Sequence, residues 1–187
     1  MAGLLVIISS PSGGGKDTVI EALIKRISGS VRMTTTTTRP PRSGEVNGVN
    51  YYFISEGEFK ERISKGKLLE YNVYAGNYYG TEKDILEKTL AMHPVVFSNI
   101  EVNGKHNLDK LAVPHLSIFL DPESMEVLKA RIEKRGSITP EIIAERLRIA
   151  EDEVNKSEDY DYHLVNAEGK LDEVVEKIEK IIKERLK

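Results

Sequence analysis

The segment Ser10-Pro11-Ser12-Gly13-Gly14-Gly15-Lys16-Asp17-Thr18 places a run of glycines directly before a lysine, close to the phosphate-loop pattern G-x-x-x-x-G-K-[ST]. Such a loop needs glycine because its backbone N–H groups must approach an anion closely. It also needs a helix directly after it, whose N-terminus is electropositive. Ser12, Gly13, Gly14, Gly15, Lys16, Asp17 and Thr18 are therefore candidate contacts to nucleotide phosphates, with Lys16 meeting the charge of the β- and γ-phosphates. Ser10 and Asp17 depart from the pattern, the first replacing a glycine and the second the hydroxyl that binds magnesium. A carboxylate about 4 Å from a phosphate charge costs ~4 kcal/mol at an effective dielectric near 20. Asp17 thus either binds an intervening cation, which makes it a candidate Mg2+ ligand, or points away and serves the N-terminus of the helix by charge–dipole attraction.

A second candidate anion site lies at Thr37-Thr38-Arg39-Pro40-Pro41-Arg42-Ser43-Gly44-Glu45. The proline pair stiffens the presentation of the two flanking guanidiniums, which suits them to grip a phosphate. His93, His106, His115 and His163 have no spacing that suggests a metal site or a histidine-based triad, and they are assigned structural or surface roles.

The elements that must position these groups follow from the hydrophobic pattern. Leu4 to Ser9 is a short apolar run ending at proline and glycine, as in a buried parallel strand. Val19, Ile20, Leu23, Ile24 and Ile27 follow at helical spacing. Further apolar runs at Val95–Phe97, Leu116–Leu120 and His163–Val165 alternate with helical segments, the clearest being the stripe Leu171, Val174, Val175, Ile178, Ile181, Ile182 and Leu186. This alternation predicts an α/β fold, with helices on both faces of a parallel sheet. Residues 33–92 break the rhythm, with β-like tracts at Tyr51–Ile54 and Leu68–Tyr74 and a threonine run, Thr34 to Thr38, that reads as an ordinary strand. They are predicted to form a small mixed α/β insertion. Residues 123–156 are highly charged and helical, with a break at Gly136 and a helix start at Thr139-Pro140-Glu141, and they are predicted to form a lid. The core then comprises 1–32, 93–122 and 157–187.

The chain has 187 residues, enough for one compact domain or a core carrying an insertion. Hydrophobic residues at 40% with charged residues at 30% exclude a disordered chain. The absence of cysteine rules out disulfides, thiolate zinc sites and cysteine nucleophiles, and fits a cytoplasmic enzyme. No apolar run is long enough to span a bilayer, and the N-terminus lacks a basic stretch ahead of its short apolar run, so neither secretion nor membrane insertion is expected. A net charge of −3 argues against a nucleic-acid partner. Any anion site must be local.

Taken in order, the phosphate loop, TTRPPRSGEVNGVNYYF, Gly76-Asn77-Tyr78-Tyr79-Gly80-Thr81 and Arg135-Gly136 resemble a guanylate kinase over nearly the whole chain. The resemblance implies ATP + GMP ⇌ ADP + GDP with Mg2+, on a three-layer P-loop core with a GMP-binding insertion and a helical lid; GMP and ATP are the small-molecule partners, with dGMP an alternative acceptor. It assigns Arg39, Arg42, Tyr51 and Tyr79 to the GMP phosphate, with Glu45 in the same motif, and Thr35, Glu70, Thr81 and Glu101 to the guanine. It also brings Arg131, Arg135 and Arg146 to the transferring group and Asn166 near the adenine. Guanine offers N1–H and N2–H₂ donors and an O6 acceptor, so a buried carboxylate with a hydroxyl complements it and mismatches adenine.

A third departure falls at Ser98-Asn99-Ile100-Glu101-Val102-Asn103-Gly104, where Asn99 stands at a position the family fills with an acid and Asn103 at that of a glutamine. One acid is lost at Asn99 and one gained at Asp17, so Asp17 is expected to compensate for Asn99 across the metal site. Two alternatives follow from the resemblance. A catalytically weakened binding or interaction module would keep the fold and lose the ATP–metal end, but Lys16, Arg131 and Arg135 are present. A kinase for another nucleoside monophosphate would lack the guanine-matched Glu70 and Glu101.

Overall fold

The computed structural model describes residues 3–74, 76–134 and 139–187. The core sheet has the order β2-β7-β1-β8-β9, with every pairing parallel. Its strands are β1 (Leu4–Ser9), β2 (Val31–Arg32), β7 (Val95–Ser98), β8 (Leu116–Asp121) and β9 (Tyr162–Val165). The period of two in β1 feeds two cores. Val6 and Ile8 pack with Val19, Ile20 and Leu23 of α1 (Lys16–Arg26) and Val175, Ile178 and Ile182 of α7 (Leu171–Arg185). Leu5 and Ile7 pack on the other side with Met33, Leu86, Val96 and Leu108. Both faces of the central strand are covered, which is why its sequence reads as a continuous apolar run rather than an alternating one.

A second sheet, in the order β4-β3-β6-β5, lies between the core strands in sequence. It consists of β3 (Thr36–Thr37), β4 (Tyr52–Phe53), β5 (Leu68–Tyr74) and β6 (Asn77–Glu82), with helix α2 (Glu56–Ser64) entered through a Ser55–Glu58 capping box. β5 and β6 form an antiparallel hairpin in which Glu70 lies opposite Thr81 and Asn72 opposite Tyr79. The threonine run is strand over Thr36–Thr37 only, and β6 coincides with the Tyr-Tyr-Gly-Thr motif. The chain returns to the core through α3 (Lys83–Met92).

Helix α4 (Val102–Lys110) follows β7. Helices α5 (Met125–Lys134) and α6 (Pro140–Asn155) share a small core of Leu128, Ile132 and Ala150, backed by Ile143 and Leu147. Thr139 stands at the N-cap of α6 and Pro140 in its first turn, as the local sequence predicts. The expected break at Gly136 lies outside the described residues.

Candidate active site

The phosphate loop leaves β1 and enters α1 through two left-handed glycines, Gly13 at φ 93° and Gly15 at φ 89°. Gly15 is the N-cap and contributes no side-chain oxygen. The N–H groups opening α1 therefore have no side-chain cap and can serve an anion. Gly15 is required for space as well, since a Cβ there would lie 2.6 Å from Asn166 Nδ2. Asn166 Nδ2 donates to the Gly14 carbonyl at 2.7 Å, and Arg131 Nη2 donates to the Asn166 carbonyl at 3.1 Å. Gly13, Gly15, Thr18, Arg131 and Asn166 line one cavity of about 450 Å³. Lys16 opens α1, and Ser12 lies partly buried within the loop.

Both departures from the loop pattern have a local structural counterpart. The Ser10 side chain is buried inside the loop, and a Cβ on Gly14 would lie 2.6 Å from Ser10 Cβ. Ser10 is thus accommodated by a glycine four residues on. Asp17 stands exposed in the first turn of α1. Its Oδ1 accepts from Asn99 Nδ2 at 2.9 Å and pairs with Arg32 Nη1 at 3.2 Å, while Arg32 Nη2 donates to the Asp17 carbonyl at 3.2 Å.

Across the cleft, Arg39 Nη2 pairs with Glu45 Oε1 at 2.8 Å, and Glu45 Oε2 accepts the Arg42 backbone N–H at 2.6 Å. Glu45 therefore ties the two ends of the Pro–Pro segment together. The Arg39 guanidinium lies over the Tyr51 and Phe53 rings, at 5.5 and 5.7 Å from their centroids. The hydrogen bond it donates to Glu45 raises the Arg39 pKa above its ordinary value. Tyr51 meets Tyr79 edge-on at 6.1 Å between centroids, and burial, with Tyr79 and Asp17 nearby, raises its phenol pKa. Arg42 is exposed.

A cavity of about 310 Å³ opens between the two sheets, lined by Thr35, Tyr51, Glu70, Tyr79, Asn99 and Glu101 among others. Glu70 is 7% exposed, and its Oε1 accepts from Thr81 Oγ1 at 2.5 Å. Burial pushes the Glu70 carboxyl up to about 6, with Glu101 adding repulsion and Thr81 opposing both. Gly104 on α4 makes room for this group, because a Cβ there would approach Glu70 Oε2 to 3.1 Å. Gly80 does the same for the strand backbone, where a Cβ would lie 2.9 Å from the Glu70 carbonyl. The cavity thus offers two carboxylates and a hydroxyl, with the Tyr51 and Tyr79 rings along its wall and the Arg39 guanidinium behind Tyr51.

Arg146 is partly buried on α6, and Arg135 lies outside the described residues. Reasoning from sequence passed over Glu153, whose pKa rises to about 7 through burial, with Glu101 and Asp152 raising it and Lys16 lowering it. This carboxylate thus stands within electrostatic reach of both Lys16 in the glycine loop and Glu101 in the cavity. Its signal was helical spacing: Arg146, Ala150 and Glu153 fall at i, i+4 and i+7 of one helix. Arg32 was passed over as well, and a lone arginine at the end of a short strand carries no pattern that could have marked it. Ser9 and Tyr160 hold the floor of the cleft: Tyr160 Oη donates to Ser9 Oγ and Ser9 Oγ to the Ile100 carbonyl, each at 2.7 Å. The histidines are engaged locally, His106 Nε2 lying 3.1 Å from Asp159 and His163 Nδ1 3.1 Å from Asp121. No cluster of three or more metal-ligating side chains occurs among the described residues.

The family model described as guanylate kinase matches residues 3–185. A guanylate kinase of Clostridium perfringens (strain SM101 / Type A) is 42% identical over 180 residues, covering 96% of this chain and 82% of that protein. One from a Wolbachia of Brugia malayi is 40% identical over 187 residues, covering 99% and 95%. The crystal structure of guanylate kinase from Anaplasma phagocytophilum superposes with a TM-score of 0.75 at 28% identity, over 99% of this chain and 87% of that one. A match of this length spans the phosphate loop, the insertion and both helices α5 and α6, so the chain belongs to the guanylate kinase family.

Proposed function

We propose that this chain transfers the γ-phosphoryl group of ATP to GMP, giving ADP and GDP. The observation that carries the reading is the buried Glu70, hydrogen-bonded by Thr81 and facing Glu101 across a cavity of about 310 Å³. Guanine presents two donors, N1–H and N2–H₂, to such a pair of acceptors, and its O6 accepts from a hydroxyl such as that of Thr35. Adenine would turn its N1 acceptor against a carboxylate. Each mismatch of this kind costs roughly 1 to 3 kcal/mol, about ten- to a hundredfold in selectivity.

With the base in that pocket, the 5′-phosphate falls to Arg39, Arg42, Tyr51 and Tyr79. Glu45 and the two aromatic rings keep Arg39 oriented there, so less side-chain freedom is lost on binding. The phosphate loop and Lys16 take the β- and γ-phosphates of ATP, and Asn166 and Arg131 border the neighbouring cavity. A phosphate oxygen of GMP attacks the γ-phosphorus as the bond to the β–γ bridging oxygen breaks. Catalysis is then alignment plus positive charge on the equatorial oxygens. Arg131, Arg135 and Arg146 supply that charge from the α5–α6 segment, the lid of the core–insertion–lid division read from the sequence.

The Asp17 carboxylate fits a magnesium ion that takes the place of its Arg32 partner. Mg2+ is ordinarily held by one or two carboxylates, with phosphate and water completing its shell. Asp17 supplies one carboxylate beside the phosphate loop, and the Asn99 amide is bound to it. Bound there, the ion would neutralise charge on the β- and γ-phosphates.

The test is ADP production from ATP and Mg2+ with GMP, dGMP, AMP, CMP and UMP as acceptors, using Lys16→Ala as the control. GMP-selective turnover that is lost in the variant is the expected result. Comparable turnover with AMP would overturn the guanine assignment.

A further inference from the structure

The cleft-facing side of the insertion sheet carries one polar residue more than the guanine-reading set uses. Strand β5 alternates, so Glu70 and Asn72 share a face, and their partners across the hairpin, Thr81 and Tyr79, share it too. Asn72 lines the same cavity as Glu70 and Glu101. Both ends of its amide are engaged. Oδ1 accepts the backbone N–H of Val73 at 2.7 Å, which fixes the amide plane, and Nδ2 donates to Glu101 Oε2.

Glu101 needs such an anchor. It is the N-cap residue of α4, yet its side chain makes no capping hydrogen bond, so nothing on its own helix holds the carboxylate. A glutamate side chain has many rotamers to lose when it is fixed. It also shares the cavity with Glu70, whose carboxyl is raised chiefly by burial, with repulsion from Glu101 adding to it. The Asn72 N–H draws the carboxylate to the cavity wall, offsets part of that repulsion and occupies one oxygen, leaving Oε1 for a ligand donor.

We infer that Asn72 is a specificity-determining positioning residue: by holding Glu101, it makes the protein read the 2-amino group of the purine and so separates GMP from IMP. The inference rests on the guanine reading above. In a purine nucleotide the 2-amino group lies on the sugar side of N1 and O6. A base inserted with its phosphate toward Arg39, Tyr51 and Tyr79 therefore places N1 and O6 at the deep Glu70–Thr81 end and the 2-amino group nearer Glu101. IMP has the same O6 and N1–H but no 2-amino group, so it does not use the contact that Asn72 prepares.

The test is equilibrium binding of GMP, IMP and AMP, measured by calorimetry without ATP, to the unaltered protein and to Asn72→Ala, Asn72→Asp and Glu101→Gln. The Asp variant keeps the shape and the acceptor for Val73 N–H but sets a like charge against Glu101. The preference for GMP over IMP should fall about tenfold in Asn72→Ala, the scale of one hydrogen bond to a charged group. It should fall further in Asn72→Asp, with IMP affinity changed less than twofold in Asn72→Ala. Adding Asn72→Ala to Glu101→Gln should then have no further effect on the preference. A GMP/IMP preference unchanged within twofold in both Asn72 variants, or equal losses for GMP and IMP, overturns the inference. If the unaltered protein fails to prefer GMP over AMP, the guanine reading itself fails, and the inference with it.

Discussion

Asn99 Nδ2 donates to Asp17 Oδ1 at 2.9 Å, joining residues 82 positions apart in the chain. An acid at position 99 would put two carboxylates in direct contact here, whereas an amide turns the same contact into a hydrogen bond. Asn99, just past the end of β7, and Asp17, at the start of α1, therefore belong to one locus, and Arg32 completes it from β2.

Asp17→Ser is expected to weaken Mg2+-dependent turnover more than ATP binding. A second readout, Mn2+ binding in the presence of ADP followed by electron paramagnetic resonance, should weaken about tenfold or more, as for the loss of one charged ligand. Arg32→Ala, which removes the competing cation from Asp17, should tighten Mn2+ binding. Improved turnover in Asp17→Ser would sink the idea that the carboxylate has moved across the metal site.

Ser10 and Gly14 should behave as a coupled pair. Gly14→Ala brings two β-carbons to within 2.6 Å, so it should destabilise the protein by about 1 to 3 kcal/mol, as overpacking does, and impair ATP binding. Ser10→Gly should restore most of the loss in the double variant, visible as non-additivity in urea denaturation. Additive effects would mean that the two positions are independent.

The Glu70 carboxyl should make GMP recognition pH-dependent. Its folded pKa of about 6 lies above the ordinary 4.5, so the group contributes stability at and below pH 4.5 that is lost as pH rises through 6. That contribution is on the order of 2 kcal/mol. Guanine donors need the ionised form, so KM for GMP should rise as pH falls below 6, with KM for ATP following a different profile. Glu70→Gln should stabilise the free protein near pH 7 while raising KM for GMP at least tenfold. A KM for GMP that is flat between pH 5 and 7 would contradict this.

Glu153 should act on the other substrate. Its pKa of about 7 means that the carboxyl is partly protonated at neutral pH, beside Lys16, Glu101 and Asp152. As pH rises through 7 it becomes an anion facing the phosphate site and competes for Lys16. ATP affinity of the unaltered protein should therefore decline from pH 6 to 8 relative to Glu153→Gln, whose profile lacks this step. Parallel profiles for the two proteins would remove Glu153 from the site.

The strand, glycine turn and helix at the N-terminus were legible because each is encoded locally. The apolar run of β1, the left-handed glycines and the helical spacing of Val19, Ile20 and Leu23 all lie within about twenty residues. The terminal helix and the start of α6 at Thr139-Pro140 were legible for the same reason. Strand β2 was not, since two residues hold too little pattern to reveal a period.

The sequence by itself determined the chemistry available: a lysine after glycines, two arginines around a proline pair, the carboxylates and hydroxyls of Glu70, Thr81 and Glu101, and the odd placement of Asp17 and Asn99. Only the tertiary structure decided which of these groups meet. It set Asn99 against Asp17, Asn72 against Glu101, Glu45 against Arg39 and Glu153 within reach of Lys16. The first, second and last of these pairings join segments far apart in the chain, and their energies depend on distance and burial. Neither quantity exists until the sheets and helices have packed, whereas strand and helix periodicity is already present in the order of the residues.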